Sequence, residues 1–205
     1  MAVLPIRTLG DPVLRTPCEP VTRFDEELSV LVQNMVETMF DVGGVGLAAP
    51  QVGISLRLFT YGIEGPEGEV GHVINPVVEL GEEPQQGSEG CLSVPGLHAQ
   101  TPRRNWARVS GVDMRNQPVV VEGEGLLARC LQHEADHLEG RLYIDRLEGP
   151  RRREIMKAIR AADFHQTEQR IHRERAGRIT AAFGTTPHTA PRTAPRTARG
   201  SDPRR

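Results

Sequence analysis

The chain has 205 residues, enough for one domain or one domain plus a tail. A hydrophobic fraction of 38% supplies a sizeable core, while 25% charged residues and a net charge of -2 exclude a uniformly basic nucleic-acid coat and an acidic disordered chain. The longest uncharged run, Val42 to Leu56, carries four glycines and a proline and falls short of the ~18 apolar residues of a membrane span.

The first residues, Met1 to Arg7, show no cationic start followed by an apolar stretch, so no secretory signal is expected and a cytoplasmic location is. The first periodic segment runs from Asp25 to Phe40. Leu28, Leu31, Val32, Met35, Val36 and Met39 fall at steps of three and four, which predicts one buried helix face. Asp25 is the expected N-cap, and Gly43-Gly44 the expected stop. Short β-rich runs follow at Leu56 to Tyr61, Val70 to Leu80, Ala107 to Asp113 and Gln117 to Val121. Asn75-Pro76 and Asn116-Gln117-Pro118 read as turns between them. A second helix is expected from Gly125 to Glu139, stopped by Gly140, and a third from Pro150 reaching as far as Arg178. Strands followed by helices, without a βαβ rhythm, predict an α+β fold of short, mostly antiparallel sheets. After Phe183 a Thr-Ala-Pro-Arg repeat offers little to bury, and residues 184–205 are expected to be a disordered tail.

Charge is unevenly spread. Residues 146–205 hold 15 Lys+Arg against 6 Asp+Glu, so an acidic body carries a basic end. Such an end suits an anionic partner, or is simply a solvated, arginine-rich helix. The three cysteines, Cys18, Cys91 and Cys130, are too scattered for a disulfide framework, and each is a small core residue or a used thiolate.

The most informative stretch is His133-Glu134-Ala135-Asp136-His137, an H-E-x-x-H within the second helix. Four residues advance a helix by ~6 Å and ~400°, so the two imidazoles stack on one face and can share a divalent cation. Glu134 can then turn its carboxylate to a water on that cation. A catalytic metal needs a third protein ligand. Spacing matches the metzincin proteases as far as Gly140 but places Tyr143 where their third histidine falls. Glu154 lies among arginines on an exposed helix, Cys130 sits one turn before His133, and Cys91 occupies the open-looking Glu89-Gly90-Cys91-Leu92-Ser93. These three remain candidates on the residues alone.

Three motifs together, Gly44-Val45-Gly46-Leu47-Ala48-Ala49-Pro50-Gln51, Glu89-Gly90-Cys91-Leu92-Ser93 and His133-Glu134-Ala135-Asp136-His137, resemble the signatures of the peptide deformylases in order and spacing. The resemblance spans about residues 3 to 165. It implies a catalytic domain over 1–165, and the charge and composition readings add a basic helical extension over 166–183 and the tail 184–205. It further implies a hydrolase that removes the formyl group from the amino-terminal formylmethionine of nascent bacterial polypeptides. Carried over by position, Cys91, His133 and His137 become ligands of one divalent ion, Fe(II) first and Zn(II) second. One sulfur and two imidazoles suit either ion by softness.

On the same resemblance Glu134 is the general base and then the acid, while Gln51 and the Leu92 N–H stabilise the oxyanion. Val45, Gly46, Glu89, Gly90, Leu126, Arg129 and Cys130 become the substrate-binding residues. Arg129, His98 and Gly87 depart from the family's usual residues. Arg129 is expected to rim the pocket or to reach water. The implied partners are nascent formylated chains and, through the basic end, the ribosome; no DNA or membrane partner and a monomer are expected. Two enzyme-free or enzyme alternatives stand beside this: a metallopeptidase cleaving ordinary amides, and an idle metal-binding protein whose basic end contacts RNA or ribosome.

Overall fold

The computed structural model describes residues 2–62, 70–161, 164, 166–171, 173 and 174. Its first helix, α1 (Glu26–Asp41), starts where the side chain of Asp25 accepts the Leu28 N–H, with Glu26 and Glu27 favourably placed at the positive end of the helix dipole. Leu28, Val32, Met35 and Met39 are buried, and Gly43 in the left-handed region ends the helix. Leu31 and Val36 of the expected face are only half-buried.

Five strands form one antiparallel sheet: β1 (Gly46–Ala48), β2 (Leu58–Gly62), β3 (Val70–Leu80), β6 (Trp106–Val112) and β7 (Pro118–Glu124), in the order β1-β2-β3-β6-β7. The remaining pair, β4 (Pro84–Cys91) and β5 (Val94–Arg104), is a separate hairpin with Glu89 opposite Ala99 and Gly90 opposite His98. Helix α2 (Gly125–Leu138) lies between the two sheets and touches β1, β2, β3, β5, β6 and β7. This is the α+β class that strands followed by helices predict.

Ala128, Leu131 and Leu138 of α2 join Phe59, Val73, Val109 and Val121 in one core cluster beneath the sheet. Met35 and Met39 of α1 join Leu47, Leu58 and Ile74 in a second. A third, Val94, Leu142, Tyr143, Ile144 and Leu147, backs the hairpin and takes in Ile155 of α3 (Gly149–Arg160). Among the described residues no helix is long and apolar enough to cross a membrane.

Three expectations change. Asn75-Pro76 is a bulge inside β3, where the register with β6 shifts between Ile74 and Val77. Asn75 adopts φ 53°, and its side chain bonds both the N–H (2.8 Å) and the carbonyl (2.9 Å) of Val21, which fixes the bulge from outside the strand. Asn116, by contrast, is the expected turn. Next, α3 stops at Arg160, because Ala161 is extended; helical backbone resumes at 164 and 166–171. Residues 175–178 of the expected long helix, like the tail 184–205, lie outside the described residues. Finally, Cys91 ends a paired strand and is not in an open loop.

Candidate active site and metal centre

Helix α2 presents His133 and His137 on one face, and β4 brings Cys91 to meet them. Cys91 Sγ lies 3.3 Å from His137 Nε2, and the two histidine Nε2 atoms are 3.2 Å apart. All three donor atoms fall within 4.8 Å of one another. Of the open candidates, Cys91 is the one grouped with the two histidines. Cys130 is buried and directs its thiol to the Val45 carbonyl, 3.1 Å away, while Glu154 is exposed on α3.

Several features fit a cation at this point. Glu89 Oε1 holds His133 Nδ1 at 2.6 Å, so the ring offers its Nε2 lone pair inward. Two ring nitrogens and a sulfur then face one another, and the contacts among them cannot all be good hydrogen bonds. One divalent ion satisfies all three. Electrostatics agree. Burial opposes a charge on His133, yet Cys91 and Glu89 pull its pKa well above the ordinary histidine value, so the neighbourhood draws positive charge. His137 is pushed well below that value, by burial first and then by the charge on His133.

Glu134 lies beside the trio with 3% exposure, and its Oε2 has no hydrogen-bond partner among the described residues. Burial pushes its carboxyl up to about 7, against the lowering effect of His133. Gly46 makes the close packing achievable, since a β-carbon at that position would collide with Glu134 Oε1. Gln51, 1% exposed in the short 3-10 turn Ala49–Val52, accepts the Ala48 N–H (2.8 Å) through Oε1. That bond orients the amide, so Nε2 faces Cys91 Sγ (3.6 Å) and Ser93 Oγ (3.3 Å). Leu92 follows Cys91 at the hairpin end.

A cavity of about 380 Å³ opens over these groups. Val45, Gly46, Glu89, Gly90, Leu126, Arg129 and Cys130 all line it, together with Gln51, Leu92 and Glu134. Val45 (42% exposed) and Leu126 (53%) place apolar surface at its mouth. His98 also lines it, from β5. A larger groove of about 730 Å³ runs on another face past Arg57, Arg104 and Arg141 and does not include Cys91, His133 or His137.

Two of these lining residues, Arg129 and Glu89, have side chains bonded within the protein. Arg129 neither reaches water nor stands free at the rim: it is buried, donating from Nη1 to Glu89 Oε2 (3.0 Å) and the Thr101 carbonyl (3.0 Å) and from Nη2 to Gln85 Oε1 (3.1 Å). Glu89 lines the cavity, but its carboxylate is committed to His133, Arg129 and Arg103. Burial would raise its pKa, yet hydrogen bonds from His133 and Arg103 outweigh that and hold it at about 2.

Arg103, Asp136 and Arg146 escape the sequence reading altogether. Arg103, 5% exposed on β5, bridges Glu89 to Asp136 with bonds of 2.6 Å to each, and Arg146 closes on Asp136 from the other side. The one usable signal is Asp136 itself, a carboxylate inside the apolar-flanked H-E-x-x-H helix that needs a buried cation.

The family model for polypeptide deformylase matches residues 3–153. A peptide deformylase of Acidothermus cellulolyticus is 56% identical over 164 residues, covering 80% of this chain and 89% of that protein. Peptide deformylase 2 of Streptomyces coelicolor is 50% identical over 167 residues, covering 80% and 93%. Among solved structures, the peptide deformylase of Thermus thermophilus superposes with a TM-score of 0.74 at 44% identity, covering 82% of this chain and 99% of that one. The Synechococcus elongatus enzyme, crystallised with actinonin, gives 0.71 at 39% identity, covering 80% and 90%. With its motifs, its fold and these relatives in agreement, this chain belongs to the peptide deformylase family, a family of hydrolases.

Proposed function

We propose that this protein removes the N-formyl group from the amino-terminal formylmethionine of nascent polypeptides and releases formate. The observation that carries the reading is the convergence of Cys91 Sγ, His133 Nε2 and His137 Nε2 beneath an open cavity, with the buried Glu134 carboxyl beside them. The trio would hold one divalent ion, Fe(II) ahead of Zn(II). Such an ion supplies a water acidic enough to act as a nucleophile near neutral pH, its pKa falling from ~15.7 toward ~7.

The chain's own residues account for the remaining steps. Glu134 takes a proton from the attacking water; a carboxyl held near 7 can both accept and return it. As water adds to the formyl carbon, negative charge grows on the carbonyl oxygen, and the Gln51 Nε2 and the Leu92 N–H are the donors that meet it. The formyl C–N bond then breaks, and Glu134 delivers its proton to the departing amine. Val45, Gly46, Leu126 and Cys130 receive the methionine side chain on the α2 side of the cavity. Glu89, Gly90 and Arg129 shape the same wall.

On this reading residues 1–165 form the catalytic unit. The basic residues of α3 and of 166–183 approach the ribosome, where nascent chains emerge, and the protein works as a cytoplasmic monomer. The test is formate release from formyl-Met-Ala-Ser by anaerobically purified protein with metal analysis, beside Glu134→Ala. Activity in the parent alone, with metal retained in both, is the expected result. Comparable turnover by the variant refutes the assigned base.

A further inference from the structure

The cavity has one wall that the family motifs do not account for. Ile171 lines it, 18 residues beyond the end of the family match at 153. Helical backbone at 164 and 166–171 carries it there. Phe164, buried at 6% exposure, anchors this segment in the cluster of Val94, Leu142, Tyr143, Ile144, Leu147 and Ile155. One turn on, Thr167 Cγ2 lies 3.3 Å from where a β-carbon on Gly96 would stand, and Gly96 itself lines the cavity. Positions 164, 167 and 171 are spaced by three and four, so one helical face makes all three contacts. The opposite positions, Gln166, Gln169, Arg170 and Arg173, are exposed. That face therefore runs from the core cluster to the cavity, where Ile171 lines the wall.

We infer that this C-terminal segment completes the substrate groove, and that Ile171 selects the side chains of the peptide beyond its formylated residue. The inference rests on the deformylase reading. Position supports it: on the deformylase reading the first side chain is received by Leu126 and Cys130 of α2, whereas the segment that carries Ile171 meets the cavity's β5 residue Gly96 through Thr167. A half-buried isoleucine in that place offers apolar surface and no chemistry, so it acts on binding and not on bond breaking.

The test uses the metal-loaded full chain and compares formyl-methionine amide, which has nothing beyond the first residue, with formyl-Met-Leu-Phe. Ile171→Ala should raise KM for the tripeptide about 5- to 10-fold, within the range for a lost apolar contact, and leave kcat within about twofold. The amide should be unaffected, and Ile171→Leu should restore the tripeptide. A chain ending at residue 166, which keeps Phe164, should reproduce the alanine pattern. The Kd of the product peptide Met-Leu-Phe, measured by calorimetry without turnover, should rise by the same factor. Equal effects on amide and tripeptide, or an unchanged product Kd, overturn the inference. A parent that releases no formate from either substrate sinks the deformylase reading instead, and the product Kd still decides the role of Ile171.

Discussion

Glu89 Oε1 lies 2.6 Å from His133 Nδ1, and the same carboxylate accepts from Arg103 and Arg129. One buried anion thus orients a ring of the convergent trio and neutralises two buried guanidinium groups. Replacing it by glutamine keeps an oxygen for His133 but removes the charge that both arginines face. Glu89→Gln should weaken divalent-metal retention about 10- to 100-fold, read by chelator competition. It should also lower stability by about 3 kcal/mol or more in urea, as losing one partner of a buried ion pair does. Full metal affinity in a folded variant would show that His133 is oriented by something else.

Gly87 and Arg129 form a matched pair. A β-carbon at position 87 would stand 2.8 Å from Arg129 Nη2, a guanidinium held in place by Glu89, Thr101 and Gln85. Gly87→Val should therefore destabilise the protein by about 1–3 kcal/mol, the usual cost of overpacking. In an Arg129→Met background the same valine should cost less, because the flexible thioether can yield. A double-mutant cycle measured by urea denaturation should give a coupling of at least about 0.5 kcal/mol in the favourable direction. Additive costs would mean that the two positions do not meet.

These two relationships also show where sequence reading stops. The helix α1 and the H-E-x-x-H face were legible because apolar spacing and capping are local properties, as Asp25 and the run from Leu28 to Met39 show. The hairpin was not. β4, Pro-Gln-Gln-Gly-Ser-Glu-Gly-Cys, has no period-two hydrophobic pattern and two glycines, so it is a strand only because β5 pairs with it and Arg129 and His133 of α2 bond its Glu89. Cys91 and Glu89 were therefore assigned by motif and not by pattern. Arg103 and Asp136 meet across 33 residues, a pairing that no local spacing encodes. Arg129, read as a rim residue, owes its burial to the same hairpin.

Gln51 offers a cleaner separation of chemistry from structure than a truncation would. Its Oε1 accepts the Ala48 N–H, while its Nε2 is the group aimed at Cys91 and Ser93. Gln51→Glu retains an oxygen for Ala48 and exchanges the donor for an acceptor. With the proposed role, kcat should fall about 10²- to 10³-fold, the usual loss for one oxyanion donor. Metal content should be unchanged, since Gln51 is not one of the three convergent donor residues. A variant that loses metal in proportion to its activity would shift Gln51 from the reaction to the upkeep of the centre.

His72 sets a pH dependence of stability away from the active site. Its Nε2 accepts the Met114 N–H at 3.0 Å, a bond that the protonated ring cannot make. Burial lowers its pKa below the ordinary 6.5, and the nearby Asp113 opposes that only in part. In the unfolded chain the ring protonates as the pH falls through about 6.5, while the folded ring stays neutral to a lower pH. Over that interval the unfolded state binds more protons, so stability is fully present above 6.5 and declines as the pH drops toward the folded value. His72→Gln keeps an oxygen acceptor for Met114 and has nothing to titrate. Thermal unfolding of the two proteins between pH 7.5 and about 5 should therefore show the parent losing more melting temperature than the variant. Curves that fall in parallel would mean that His72 is as easily protonated folded as unfolded, and that the Met114 bond does not hold the neutral ring.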